Sequence, residues 1–124
     1  EPYRRQRQMC IGDRYNQHFV LKHDPVTPWE FKQQMKLNDY AHSLKLFIRH
    51  NAADGRQKPV PGAGSSIFFH IWRRDGGSPT AGCTAMSEEN LRAMIAWLDP
   101  SRHPLYILLP AREYLRLRRA WGLP

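Results

Sequence analysis

The chain has 124 residues, of which 41% are hydrophobic and 11% aromatic, with 19 Lys and Arg against 11 Asp and Glu for a formal net charge of +8. That length suits one domain, residues 1–124, with a single modest core, and the apolar content excludes a wholly disordered chain. Every apolar run falls short of the ~20 residues that a bilayer-spanning helix needs, so no transmembrane segment is expected.

Two cysteines, Cys10 and Cys83, are too few for a dense disulfide framework, and Cys10 reads as structural or incidental. The six histidines fall at no recognised zinc spacing, so a zinc site is not expected, and no cofactor is expected. Glu1 to Gln8 is charged and no apolar region follows, which is not a signal peptide. The chain also begins without Met, and it reads as a mature or N-terminally trimmed fragment whose targeting information lies elsewhere. Arginines gather at both ends: Arg4, Arg5 and Arg7, then Arg112, Arg116, Arg118 and Arg119. Such charge either solvates the surface or favours an anionic partner: nucleic acid, anionic lipid or an acidic wall polymer. With no nucleic-acid motif and no interleaving of aromatic and basic residues, nucleic acid is not the expected partner.

Residues 1–17 are polar and irregular. Thr27-Pro28-Trp29-Glu30 follows as a helix start, with Thr27 as N-cap, Pro28 in the first turn and Glu30 completing a capping box. A helix over about 28–36 would gain a partly apolar face from Trp29, Phe31, Met35 and, just beyond it, Leu37. In residues 44–50, Leu44, Leu46 and Ile48 alternate with Lys45 and Arg49, which is a strand pattern. Residues 51–64, rich in Ala, Gly and Pro, read as a loop. A second strand over 65–72 sets Ile67, Phe69 and Ile71 on one face and Ser66, Phe68, His70 and Trp72 on the other, with His70 on the open side at the edge of a groove. The loop 73–79 carries Gly76-Gly77. Ser87 is an N-cap with Glu88 and Glu89 in the first turn behind it. Leu91, Met94, Ile95 and Leu98 then repeat at helical spacing, so a helix over 88–98 buries one stripe until Asp99-Pro100 stops it. The run 105–109 reads as a short buried strand. Pro110 then opens a last helix over 111–120, with Tyr114, Leu115 and Trp121 turned inward. There is no internal repeat.

The stretch 62–86 holds the residues that could carry chemistry. His70 lies near the end of a strand, and Cys83 follows a small-residue elbow, Thr80-Ala81-Gly82, just ahead of a helix. A thiol is a nucleophile as its thiolate, and an adjacent imidazolium stabilises that form. Gly82 lets the backbone turn tightly, and backbone N–H groups near Cys83 could hold an oxyanion. Read so, the residues point to acyl transfer. A lone Cys is also a common small hydrophobe and a lone His a common core residue, and the residues alone leave both readings open.

GSSIFFHIW, then PTAGCTAM, a capped helix and PLYILLP, resemble the L,D-transpeptidase (YkuD-like) catalytic domain family. The family signature is a His, a spacer, and Ser/Thr-x-Gly-Cys. Here His70 matches the histidine, Thr80 the Ser/Thr, Gly82 the glycine and Cys83 the nucleophile. The resemblance covers about residues 44–110. Ala81 stands where many members have His, and Met86-Ser87 where many have Asn and Arg, which marks a divergent branch. The resemblance implies a mainly β, α+β fold: a β-sandwich with a helix following the catalytic Cys83. It implies that Cys83 attacks the carbonyl of the third residue of a peptidoglycan stem tetrapeptide and releases the terminal D-alanine, leaving a thioester. His70 would be the base, with Gly82, Thr80, Ala81 and Ser66 around the oxyanion and substrate. The acceptor would be another stem, a D-amino acid or, for an L,D-carboxypeptidase, water. The alternative is a catalytically weak module that binds peptidoglycan. The partner is the peptidoglycan stem peptide and the location periplasmic, cell-envelope or secreted. Asn51 could line the groove, Asp75 could orient His70, and Trp72 reads as cleft wall or core.

Overall fold

The structure, a computed structural model, describes Asn16 and residues 21–34, 37–53 and 56–124. Three short strands form one sheet in the order β1 (Lys45–Phe47), β2 (Phe68–Ile71), β3 (Thr84–Met86). β1 runs antiparallel to β2, with Lys45 opposite His70 and Phe47 opposite Phe68. β3 runs parallel to β2, with Phe69 opposite Thr84 and His70 opposite Ala85. The helices are α1 (Pro28–Gln33), α2 (Glu88–Trp97) and α3 (Ala111–Leu117), with 3-10 turns at Tyr40–His42, Arg74–Gly76 and Pro100–Arg102.

The pleat sorts the sheet into two faces. Leu46, Phe69, Ile71 and Met86 share one. Phe69, Ile71 and Leu91 of α2 form the buried core, and Leu44, Leu46, Ile48, Trp72, Met86, Met94 and Ile95 pack round it. Burying a side chain such as Ile71 or Leu91 contributes roughly 1.5–3 kcal/mol, so this small cluster fixes α2 against β2. The alternation of residues 44–48 is therefore an inward-facing set, as the sequence suggests, although the ladder itself is shorter than 44–50 or 65–72.

The helix starts follow their local signals. Thr27 accepts from the Glu30 N–H, and the Glu30 carboxylate accepts from the Thr27 N–H at 2.8 Å. Ser87 accepts from the Asn90 N–H at 3.2 Å. Among the apolar residues, burial departs from expectation at three places. Trp29 and Phe31 of α1 are exposed, because this short helix lies outside the core cluster. The run 105–109 forms no strand, and Leu105 is 89% exposed. Pro104 and Pro110 bracket it, each lacking a donor for a ladder, and Tyr106 docks edge-on to Phe69 at 4.6 Å. Leu115 and Trp121 also stand outward rather than toward the body. Met35 and the irregular N-terminal stretch with Cys10 lie outside the described residues. The fold is thus a small α+β arrangement, and a second sheet is not formed among the described residues.

Candidate active site

The second sheet face carries the candidate site. Lys45, Phe47, Phe68 and His70 share it, and so does Ala85. Continuing the β2–β3 register by one residue sets Cys83 opposite Phe68. Cys83 and His70 then lie on the same face, on diagonal positions of neighbouring strands. The separation in sequence gives no hint of this; the parallel pairing does.

Cys83 is a free, partly buried thiol whose Sγ lies 3.7 Å from the Ser66 carbonyl oxygen. The elbow before it is held by Thr80, whose hydroxyl donates to the Cys83 carbonyl and accepts from the Gly82 N–H at 3.3 Å. Gly82 has φ +141°, which a side chain would strain, and an added Cβ would meet Ile67 at 3.4 Å. Thr80 and Gly82 therefore shape the turn, and the Gly82 N–H is engaged by Thr80. Ala81 is exposed. Ser66 meets the site through its backbone: it has φ +55°, its carbonyl faces the thiol, and its N–H donates to Asn16 Oδ1 at 3.2 Å.

His70 is not on an open side. It is 3% exposed, because the turn Tyr40–His42 covers that face of the sheet. The His42 ring stacks on the His70 ring with centroids 4.8 Å apart and planes inclined by 28°. The His70 Nδ1 lies 2.7 Å from the Ile71 carbonyl oxygen. A carbonyl only accepts, so Nδ1 carries the proton and Nε2 is left as the basic nitrogen.

Behind His42 stands a carboxylate. Its Nδ1 lies 2.7 and 2.9 Å from the two Asp39 oxygens, and Arg73 Nη2 donates to Asp39 Oδ2 at 2.7 Å. Arg73 also approaches His42 Nδ1 at 3.3 Å. With Nδ1–H already donated to Asp39, that approach is no bond, and both groups meet through the carboxylate. The Arg73 hydrogen bond, helped by His42, holds Asp39 below the usual carboxylate range. Burial holds His42 below the usual imidazole value despite Asp39, which keeps it neutral near pH 7.

Lys45 completes the face. Its ammonium lies 5.1 Å from the Phe68 ring centroid. Burial lowers its pKa, while Asp39 and Cys83 act in the opposite direction.

The other expected residues have structural places. Asn51 ties the loop 51–64 together, donating to Val60 and Gly64 carbonyls and accepting from the Val60 N–H. Asp75 is exposed on the turn Arg74–Gly76, and the Ile71 carbonyl, not Asp75, holds the His70 Nδ1. Trp72 packs against the core. A cavity of about 550 Å³ opens beyond the end of β2 between Asp39, Tyr40, Trp72, Arg73, Asp75 and Glu88, and neither His70 nor Cys83 lines it. In it Asp39 is bonded to Arg73 and Glu88 to Arg92. Among the described residues no cluster of His, Cys, Asp or Glu could hold a metal ion.

A thiol and an imidazole whose Nδ1 is held by a carbonyl thus share one face of a small mixed sheet, followed by a capped helix. The family model for the L,D-transpeptidase catalytic domain (YkuD) matches residues 4–107, and the chain belongs to that family. At the level of the family this is an enzyme fold of L,D-transpeptidase type, acting on peptidoglycan of the cell wall, which accords with a place outside the cytoplasm. No curated protein and no solved structure matched the chain. Among the described residues no helix is long and apolar enough to cross a membrane.

Proposed function

We propose that this chain is a cysteine acyltransferase on peptidoglycan stem tetrapeptides, with Cys83 as nucleophile and His70 as general base. His70 Nε2 takes the Cys83 thiol proton, and the thiolate attacks the carbonyl carbon of the third stem residue. The tetrahedral oxyanion is held by backbone N–H groups at the elbow, with Cys83 N–H the principal donor because Gly82 N–H is turned to Thr80. The carbon–nitrogen bond to D-alanine then breaks as Nε2 returns its proton to the leaving amine, leaving an acyl thioester on Cys83. An acceptor amine, or water in an L,D-carboxypeptidase, attacks the thioester while His70 takes its proton. Residues 62–68 and the elbow 80–82 form the walls on which the stem peptide would lie. Work outside the cytoplasmic membrane, in the periplasm or envelope, follows from the substrate.

The observation that carries this reading is the pairing of Phe69 with Thr84, which puts His70 and Cys83 on one sheet face with His70 Nδ1 already satisfied by Ile71. The test is mass spectrometry of tetrapeptide incubated with the protein under reducing conditions. Terminal D-alanine is lost or, with a second D-amino acid added, exchanged, and both reactions vanish in Cys83→Ala. Intact tetrapeptide with a folded, reduced protein refutes the proposal.

A further inference from the structure

The stretch 104–121 turns apolar and cationic side chains to solvent together. Tyr106 ties it to the sheet: its ring meets Phe69 edge-on, and its hydroxyl lies 2.5 Å from the Thr84 hydroxyl on β3. Leu105 and Leu108, on either side of that anchor, stand outward at 89% and 69% exposure. α3 follows and has no buried residue. Its coil continues past Leu117, because the Arg118 N–H donates to the Tyr114 carbonyl and the Trp121 N–H to the Leu117 carbonyl. Arg112, Leu115, Arg116 and Arg119 therefore recur at i, i+3, i+4 and i+7 on one face, and all four are exposed. Trp121 is exposed at the end of the same coil. Residues 111–121 hold four arginines and one acid, Glu113, which is bonded to Arg116. Arg118 lies over the Tyr114 ring, while Arg112 and Arg119 form no ion pair among the described residues.

We propose that this stretch is a membrane-surface contact, in which Leu105, Leu108, Leu115 and Trp121 enter the headgroup region of a bilayer containing anionic lipid and Arg112 and Arg119 meet the lipid phosphates. Two properties of the surface select that occupant. Exposed leucines outside the core cluster gain by leaving water, and the cationic excess beside them is complementary to an anionic surface. A soluble polyanion such as nucleic acid or an acidic wall polymer would satisfy the arginines and leave the leucines in water. A second copy of the chain, paired face to face, would set arginine against arginine. The interface of a bilayer accommodates both kinds of side chain at once, and tryptophan is favoured there. From Leu108 onward the surface lies beyond the residues that the family model matches. It stands independently of the reading of Cys83, and it would hold a wall-acting chain against the membrane that borders its substrate.

The test is cosedimentation of the full chain with vesicles of phosphatidylcholine alone or with about 30% phosphatidylglycerol, at about 0.1 M and about 0.5 M NaCl. Binding is expected to the anionic vesicles, weakening severalfold at the higher salt, and not to the neutral ones. Arg112→Gln combined with Arg119→Gln is expected to weaken it by about twentyfold, whereas Lys at both positions stays within about threefold. Leu108→Ser combined with Leu115→Ser is expected to weaken it by about tenfold. These side chains lie outside the core cluster, and far-UV circular dichroism checks each variant. Absence of binding to anionic vesicles, or equal binding to both kinds, overturns the proposal. So does a folded leucine variant that binds like wild type, which would leave an electrostatic surface for a soluble polyanion. A dimer seen by sedimentation velocity without vesicles, and lost in the leucine variant, would assign the surface to a second copy and overturn it as well. Vesicle binding and D-alanine release are read separately, so failure of one leaves the other standing.

Discussion

His70 is constrained from three directions, and each constraint has a different chemical consequence. The Ile71 carbonyl fixes which nitrogen is basic, the strand fixes where the ring starts, and the His42 ring fixes how it lies. His42 is itself held by Asp39, and Asp39 by Arg73. A misplaced base loses rate steeply, since proton transfer needs the pair within hydrogen-bond reach. His42→Ala removes the stacked ring, and we expect D-alanine release to fall by about tenfold or more, whereas His42→Phe keeps a planar neighbour and stays within about threefold. Equal losses in the two variants would show that the ring face is not what matters. His70→Gln, which removes the proposed base, is expected to cost about 10²–10⁴-fold in kcat, measured on the same release assay.

At the scale of elements, the site depends on two short strands being held in register by the helix behind them. α2 begins at the Ser87 cap directly after β3, so the cap and the strand end are continuous. Ser87→Ala is expected to cost about 1 kcal/mol. Leu91→Ala, which empties the centre of the core, is expected to cost about 2–5 kcal/mol. Urea unfolding monitored by tryptophan fluorescence measures both, and a smaller loss for Leu91→Ala than for Ser87→Ala would contradict the core described here. Buried Ser65 works the other way. Its hydroxyl finds no partner among the described residues, so Ser65→Ala is expected to be neutral or stabilising by up to about 1 kcal/mol, because an unsatisfied buried hydroxyl is costly.

The same scale explains what can be read from the amino acids in advance. Caps and amphipathic stripes act within a few residues, and so α1, α2 and the inward set Leu44, Leu46 and Ile48 are legible. The motif around Thr80, Gly82 and Cys83 is legible too, since an elbow is local. The burial of His70 is not: it is covered by His42, which lies far off along the chain, and the Asp39–His42 spacing carries no signal until the turn folds over the sheet. Asn16 escapes notice for the same reason, although it bridges the His50 and Asn51 carbonyls to the Ser66 N–H. The run 105–109 misleads because a short apolar stretch fits a buried strand and a surface segment equally, and its flanking prolines decide against a ladder.

Across the whole molecule, several groups have folded pKa values below their ordinary ones, and all push stability the same way. Burial depresses His42, so the unfolded chain takes up that proton first and stability falls as pH drops through the ordinary ~6.5 toward the folded value. Arg73 depresses Asp39, backbone N–H groups of Val26 and Thr27 depress Glu30, and the Tyr40 hydroxyl and Arg92 depress Glu88. Their contributions are present above the ordinary ~4 and are lost as pH falls through the folded values. The melting temperature should therefore decline shallowly below about pH 6.5 and steeply below about pH 4, and His42→Phe should abolish only the shallow part. A curve that is flat down to about pH 4, or one unchanged in His42→Phe, would contradict a half-buried, neutral imidazole at His42.

The claim on which all of this depends is covalent: a stem peptide becomes attached to Cys83. Intact-protein mass spectrometry after rapid acid quench of a reaction with stem tetrapeptide measures it directly. The account predicts a mass gain equal to the tetrapeptide less its D-alanine, on the peptide containing Cys83, removed by hydroxylamine and absent from Cys83→Ala. D-alanine release that persists in Cys83→Ala, or an adduct located on another residue, would contradict it.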